Sequence, residues 1–300
     1  MRVLITGASG QLGWELRRTA PEWSSACAMS RDELDIVETS QIESSLREFH
    51  PEMIINAAAY TAVDQAEKDP EQAYAVNALG PANLARVAAA EAIRLVHIST
   101  DLVFSGSRPT PYLPSDTADP LSVYGASKLE GERRVLAIAP RQALIVRTSR
   151  VYSVHGRNFV KTVLDLFDQR STVQVVADQI GSPTWARGLA ETLWKMAAKD
   201  ELRGIYHWTD GGAGSWYDLA AAVHDYGRAL GLVRRPVTIS PVRTSDYPLI
   251  ARRPAMSVLD KTATWNVLRQ SPRYWRCALN EMLNELARQW TGDKPNCADS

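Results

Sequence analysis

The sequence predicts an α/β protein, a doubly wound parallel sheet with a smaller C-terminal α/β domain. Three observations point there. Through the first 150 residues, short apolar runs of strand length alternate with stretches of helix length. Those runs are apolar throughout rather than at every second position, as expected of strands covered by helices on both faces. The first run leads directly into glycines spaced at Gly7, Gly10 and Gly13, which in turn open a helical stretch.

The elements follow in chain order. Residues 2–6 read as a strand, 11–20 as a helix and 26–29 as a weak second strand. Residues 40–49 read as a helix with Ile42, Leu46 and Phe49 on one side, and 53–58 as a third strand. One long Ala-rich helix is expected over 71–92, a fourth strand over 95–99, a helix over 121–138 and a fifth strand over 143–148. Repeated units of this length favour parallel pairing. Beyond residue 150 the rhythm loosens. Helices are expected near 158–170, 184–198 and 216–230, with short strands at 173–176, 205–208 and 237–239. A Pro- and Arg-dense loop region spans 234–254, and a last helix runs near 275–290 before a frayed tail at 293–300. The expected division is residues 1–150 for the sheet domain and 151–300 mainly for a substrate domain, with some segments returning to the sheet.

Composition excludes several function classes. Of 300 residues, 34 are Lys or Arg and 34 are Asp or Glu, so the formal net charge is zero. Nucleic acid and anionic membranes are bound through clustered excess cations, which this balance does not predict. Apolar stretches such as 53–59 fall short of the roughly 20 residues that span a bilayer. The first residues lack the charged, apolar and small-residue zones of a secretion signal. Three cysteines, Cys27, Cys277 and Cys297, form no CxxC pair and fit a reducing cytoplasm. The five histidines show no metal-ligand spacing, so no metal is expected, and His97 within the fourth strand reads as a hydrogen-bonded core residue. Trp14, Trp185, Trp216 and Trp275 read as packing residues.

The glycine turn carries the first chemical signal. A Gly-x-x-Gly-x-x-Gly segment between a first strand and a helix lets the backbone approach a pyrophosphate, and the free amides of the helix start hold the anion. At the first strand–helix junction of a βαβ chain this is a dinucleotide (Rossmann) site. The adenosine ribose is expected beside the end of the second strand. Ser30 and Arg31 there favour the 2′-phosphate of NADPH, while Asp32 keeps NADH possible.

The second signal is Tyr124 and Lys128, which share one helix face at i, i+4. Reduction of a carbonyl needs a proton delivered to oxygen. A phenol titrating near 10 is a poor partner near neutrality, and a nearby ammonium is expected to lower that value. Ser99-Thr100-Asp101 closes the fourth strand, where a hydroxyl can bond a substrate carbonyl. Glycine turn, Ala57–Ala59, Thr100 and Thr148-Ser149-Arg150 all follow strand ends, hence fall on one rim.

These residues resemble the extended short-chain dehydrogenase/reductases, and within them the dTDP-4-dehydrorhamnose reductase family. The resemblance covers most of the chain: GASGQLGWEL from Gly7, INAAAYTAVD from Ile55, STDLVF from Ser99, PLSVYGASKLEGE from Pro120, RTS from Arg147 and DQIGSPT from Asp178. It implies NADPH-dependent reduction of the C4 keto group of dTDP-4-dehydro-6-deoxy-L-mannose to dTDP-L-rhamnose, with a possible homodimer. It further implies Tyr124 as general acid, Lys128 as its electrostatic partner and Thr100 as the hydroxyl that orients the carbonyl. Gly7, Gly10, Gln11, Leu12, Gly13, Asp35, Ile36, Ala57, Ala58, Ala59 and Asn77 would line the cofactor. Asp101, Leu102 and Arg150 would face the sugar, and Gln179, Thr184 and Arg253 the diphosphate. The resemblance departs at Leu102, where the family has Tyr, at Arg150, where it has Trp, and at Pro114, where it has an acidic residue. These departures leave open a different nucleotide sugar, handled by a related epimerase or reductase, or a non-catalytic regulatory relative.

Overall fold

The structure is a computed structural model that describes residues 1–292. The tail expected to fray, 293–300, lies outside the described residues together with Cys297.

Chain order begins β1 (Arg2–Thr6), α1 (Gln11–Arg18), β2 (Ser25–Met29), α2 (Thr39–Phe49) and β3 (Met53–Asn56). There follow α3 (Val63–Ala66), α4 (Pro70–Tyr74), a π-helical turn (Ala75–Leu79), α5 (Gly80–Ala90), β4 (Arg94–Thr100), α6 (Val123–Ile138) and β5 (Ala143–Thr148). The second half contributes β6 (Val151–Tyr152), α7 (Phe159–Gln169), β7 (Thr172–Val176), β8 (Ile180–Gly181), β9 (Thr184–Trp185), α8 (Ala186–Ala197) and β10 (Gly204–His207). It ends with β11 (Gly214–Ser215), α9 (Trp216–Ala229), β12 (Thr238–Val242), α10 (Thr262–Leu268) and α11 (Trp275–Gly292).

A six-stranded sheet runs β10-β5-β4-β3-β1-β2, parallel throughout. Strand alternation sends Val3, Ile5, Met53 and Ile55 to one face, where Leu12 and Leu16 of α1 and Leu189 and Leu193 of α8 meet them. Leu4 and Ile54 point the other way, against Leu84 of α5 and Val135 of α6. The apolar runs are therefore buried on both faces. A separate core joins α7, α9 and α11 around Phe167, Val223 and Leu279.

Two differences from expectation have physical causes. The helix expected over 71–92 runs without a break from residue 70 to 90 but is not α throughout. Pro81 has no amide to donate to the carbonyl of Asn77 four residues earlier, and the chain widens there into the π turn Ala75–Leu79. The helix expected from residue 184 begins at Ala186, because Thr184 and Trp185 pair with Val151 and Tyr152 as strand. Strand β10 lies beside β5, and α8 packs on α1.

Parallel pairing aligns the strand ends. Thr6 lies opposite Asn56 and Met29, Asn56 opposite His97, and Thr100 opposite Thr148. Loops after these residues all open on one edge, which faces the second core.

Candidate active site

The glycine turn presents bare backbone. Gly7 sits at φ +74°, and a Cβ there would lie 2.7 Å from the Ala58 amide nitrogen. A Cβ on Gly13 would collide with the Gly7 carbonyl oxygen. Gly10 N donates to Gly7 O at 3.0 Å, and Ala8 N to Met29 O at 3.0 Å, which ties the turn to the end of β2. The surface left is a groove of amides at the start of α1, a shape and polarity that fit a pyrophosphate.

The groove continues into a cleft of about 730 Å³. Gly10, Gln11, Leu12, Ala57 and Ala59 line one end, and Thr100, Asp101, Leu102, Tyr124 and Lys128 its floor. Helix α6 brings the last two there. Ser122 caps it by accepting from Gly125 N at 3.1 Å, and Gly125 has no Cβ to strike the Leu102 carbonyl oxygen.

Tyr124 is 9% exposed, packed with Leu102, Tyr60 and Val63. Burial pushes its phenol up to about 12, against a hydrogen-bond contact with Thr100 that pulls down. The expected lowering by Lys128 is therefore reversed. The Lys128 ammonium, 1% exposed, donates to the Ile98 carbonyl of β4 at 2.7 Å. Its own burial lowers it to about 8, with Glu132 opposing. One turn along α6, Glu132 accepts from Arg147 Nε and Nη2 at 2.9 and 2.6 Å and from the Ser99 hydroxyl. His97 accepts at Nδ1 from Asn56 Nδ2 at 3.0 Å, with Asn56 Oδ1 taken by Thr6 Oγ1 and Ala58 N; it is a core residue, as expected.

Asp101 is buried and accepts from Ser149 Oγ at 2.7 Å and Thr100 Oγ1 at 3.2 Å. Burial raises its pKa. Arg150 adopts φ +46°, and its guanidinium lies 4.3 Å from the Trp216 ring centroid. It donates to Gly214 O at 2.9 Å and Gln179 O at 2.8 Å. Burial lowers its pKa to about 10. Gln179 Oε1 accepts from Trp216 Nε1 at 3.1 Å, so Trp216 is a wall of the cleft and not packing alone. Arg253 lines the cleft but donates to Asp64 Oδ2 at 2.6 Å.

Several expected contacts are not brought to the cleft. Thr184 is fully buried, its hydroxyl donating to Ser182 O at 3.3 Å. Asn77, fully buried, spends its side chain on Tyr60 N, Tyr60 O and Ser127 Oγ, clamping the loop after β3 to α6. Ile36 packs in the core against Gly80, leaving only its backbone for any ligand. Ser30 donates through both N and Oγ to Glu33 Oε2 at 2.7 Å, and Arg31 Nε donates to Asp35 Oδ2 at 3.2 Å. Sequence reading passed over Asp64, Glu132, Glu33, Arg157 and Tyr247. Only Asp64 and Glu132 lay inside quoted motifs, and no local spacing marked the rest. Among the described residues no group of His, Cys, Asp and Glu is placed to hold a metal ion, and no helix is long and apolar enough to cross a membrane.

A rim with glycine groove, Thr100, Tyr124 and Lys128 invites comparison with known proteins. The family model of the RmlD substrate binding domain matches residues 1–288. The chain belongs to this family. Among relatives, a dTDP-4-dehydrorhamnose reductase of Aggregatibacter actinomycetemcomitans is 41% identical over 94% of this chain and 98% of its own length. A probable dTDP-4,6-dihydroxy-2-methyloxan-3-one 4-ketoreductase of Streptomyces antibioticus is 38% identical over 95% and 96%. The Bacillus anthracis dTDP-4-dehydrorhamnose reductase, solved in complex with NADP, superposes with a TM-score of 0.88 at 37% identity, covering 95% of this chain and 99% of that one. RmlD-family membership agrees with the resemblance carried by the motifs.

Proposed function

We propose that the chain reduces the C4 keto group of dTDP-4-dehydro-6-deoxy-L-mannose to dTDP-L-rhamnose, using NADPH. The enzyme class rests on family: members at this similarity are NAD(P)H-dependent oxidoreductases. The observation that carries the reading is the meeting of Tyr124 and Thr100 in the cleft that Lys128 and the glycine groove also line. A dinucleotide held at the glycine turn by Gly7, Gly10, Gln11 and Leu12 would supply the hydride for the carbonyl carbon. Thr100 and Tyr124 bind the carbonyl oxygen, and Tyr124 releases its phenolic proton to that oxygen. A phenol at about 12 is protonated throughout the neutral range, the state a proton donor needs before the step. The Lys128 ammonium, mostly charged at pH 7 with a value of about 8, is tied to the Ile98 carbonyl and supplies a positive charge to the lining of the same cleft. In the second half, Gln179, Trp216 and Arg253 bind the nucleotide diphosphate side.

Arg150 and Leu102 support a second reading, reduction of a different dTDP-keto sugar. A guanidinium held on Trp216, its Nη groups donating to Gly214 and Gln179, puts positive charge beside the sugar position where the resemblance expects an aromatic face. The Streptomyces antibioticus relative carries a name for such a keto sugar.

Cofactor oxidation measured with a panel of dTDP-4-keto sugars tests both readings. The expected result is NADPH consumption with at least one of them, and a loss of about 10²- to 10⁴-fold in kcat for Tyr124→Phe with dinucleotide affinity retained. Wild-type protein that binds NADPH yet reduces none of the panel would replace both readings with a regulatory one.

A further inference from the structure

Four cationic side chains line the cleft: Lys128, Arg150, Arg157 and Arg253. Three are committed. Lys128 is spent on the Ile98 carbonyl, Arg150 on the carbonyls of Gly214 and Gln179, and Arg253 on the Asp64 carboxylate. Arg157 is exposed and makes no hydrogen bond or ion pair with any described residue. The glycine turn itself carries no cation, since residues 7–16 contain neither Lys nor Arg. A pyrophosphate seated there would meet only backbone amides and the partial charge of the helix start, equivalent to about half an elementary charge.

The loop that carries Arg157 is fastened onto that turn. His155 Nε2 lies 3.0 Å from Ser9 O. A carbonyl only accepts, so this ring nitrogen bears the hydrogen. The His155 ring stacks on Trp14 of α1, centroids 5.1 Å apart and planes 6° from parallel. Ser153 Oγ donates to Glu15 Oε1 at 3.1 Å, and Asn158 Nδ2 returns to Ser153 O at 2.7 Å. Gly156 takes φ +72°, and a Cβ there would stand 3.3 Å from Gln11 Cγ. The loop is thus pinned at Ser9, Gln11, Trp14 and Glu15, with Arg157 lining the same cleft as Gly10 and Gln11.

We infer that Arg157 is the outer cation for the dinucleotide pyrophosphate, and that His155 is the positioning residue that holds it there. The amides of the glycine turn take one side of the diphosphate. The guanidinium fork takes the other with two parallel N–H···O bonds, a geometry Lys lacks. The assignment rests on the dinucleotide reading of the groove.

The test measures Kd for NADPH, NADH, ADP-ribose and dTDP with wild type, Arg157→Gln, Arg157→Lys, His155→Phe and the double variant. Arg157→Gln is expected to weaken NADPH, NADH and ADP-ribose by one common factor of about 5- to 30-fold, with dTDP unchanged. Arg157→Lys recovers only part of the loss. Phe at 155 keeps the stack on Trp14 and loses the bond to Ser9, so Arg157→Gln costs less in that background than in wild type. Loss confined to NADPH would overturn the assignment in favour of a 2′-phosphate contact. Loss confined to dTDP would overturn it in favour of a substrate contact, and unchanged affinities would remove Arg157 from binding altogether. Wild-type protein that binds neither NADPH nor NADH would overturn the dinucleotide reading itself.

Discussion

The ammonium of Lys128 donates to the Ile98 carbonyl at 2.7 Å, which pins helix α6 to strand β4 at the level where Tyr124 meets Thr100. A buried lysine tied to a backbone carbonyl carries an uncompensated charge, and its value of about 8 reflects that. Position and titration of this one side chain connect the packing of the sheet to the chemistry of the cleft.

The sign of its pH dependence follows. The folded value, about 8, lies below the 10.5 of an ordinary lysine. Folded protein therefore binds fewer protons than unfolded protein between those values, so stability from this group rises with pH across the window. Below pH 8 the burial cost is fully present. Lys128→Met is expected to stabilise the fold at pH 7 by about 1–3 kcal/mol, with the advantage shrinking by pH 9.5; denaturant unfolding at both pH values checks this. Activity of the wild type is expected to fall above pH 8 as the ammonium is lost.

Glu132 and Arg147 form a buried two-bond ion pair, at 2.9 and 2.6 Å. Removing one partner strands the other's charge. Glu132→Ala and Arg147→Met are each expected to cost about 3–5 kcal/mol, and the pair replaced together by Leu and Met much less. Unfolding free energies of the two single variants and the double variant decide it. Additive losses in the double variant would mean that the pair acts as two independent groups.

Glycine substitutions separate steric from conformational cost. A Cβ at Gly13 collides with the Gly7 carbonyl, whereas at Gly204, φ +79°, it meets nothing within 4 Å. Gly204→Ala should lose about 1–2 kcal/mol from left-handed strain alone. Gly13→Ala should lose more, and should also lose dinucleotide affinity that Gly204→Ala retains. Denaturation midpoints and a dinucleotide titration provide the comparison.

Arg253 pairs with Asp64 at 2.6 Å across 189 residues of sequence. It lines the cleft, and the proposed function assigns it to the nucleotide diphosphate. Arg253→Ala is expected to raise the Kd for dTDP about 10-fold and to leave that for NADPH unchanged. Isothermal titration with both ligands reads the two effects separately.

What lay in the sequence was local. The apolar runs of β1, β3, β4 and β5, the glycine spacing after β1 and the four-residue step from Tyr124 to Lys128 are patterns of neighbours in the chain. Backbone periodicity converts them into strand, turn and helix face without further information. Parallel pairing then sets Thr6, Asn56, Thr100 and Thr148 on one rim. What tertiary structure decided was partner choice among groups far apart in the chain. Lys128 found the Ile98 carbonyl and left the phenol of Tyr124 to burial. Asn77, within the π turn, was bound to Tyr60 and Ser127, Thr184 was drawn into a strand pair, and Arg150 was spent on Gly214 and Gln179. A buried donor or cation takes whichever acceptor the packed chain places within reach, because leaving it unpaired costs more than any local preference supplies.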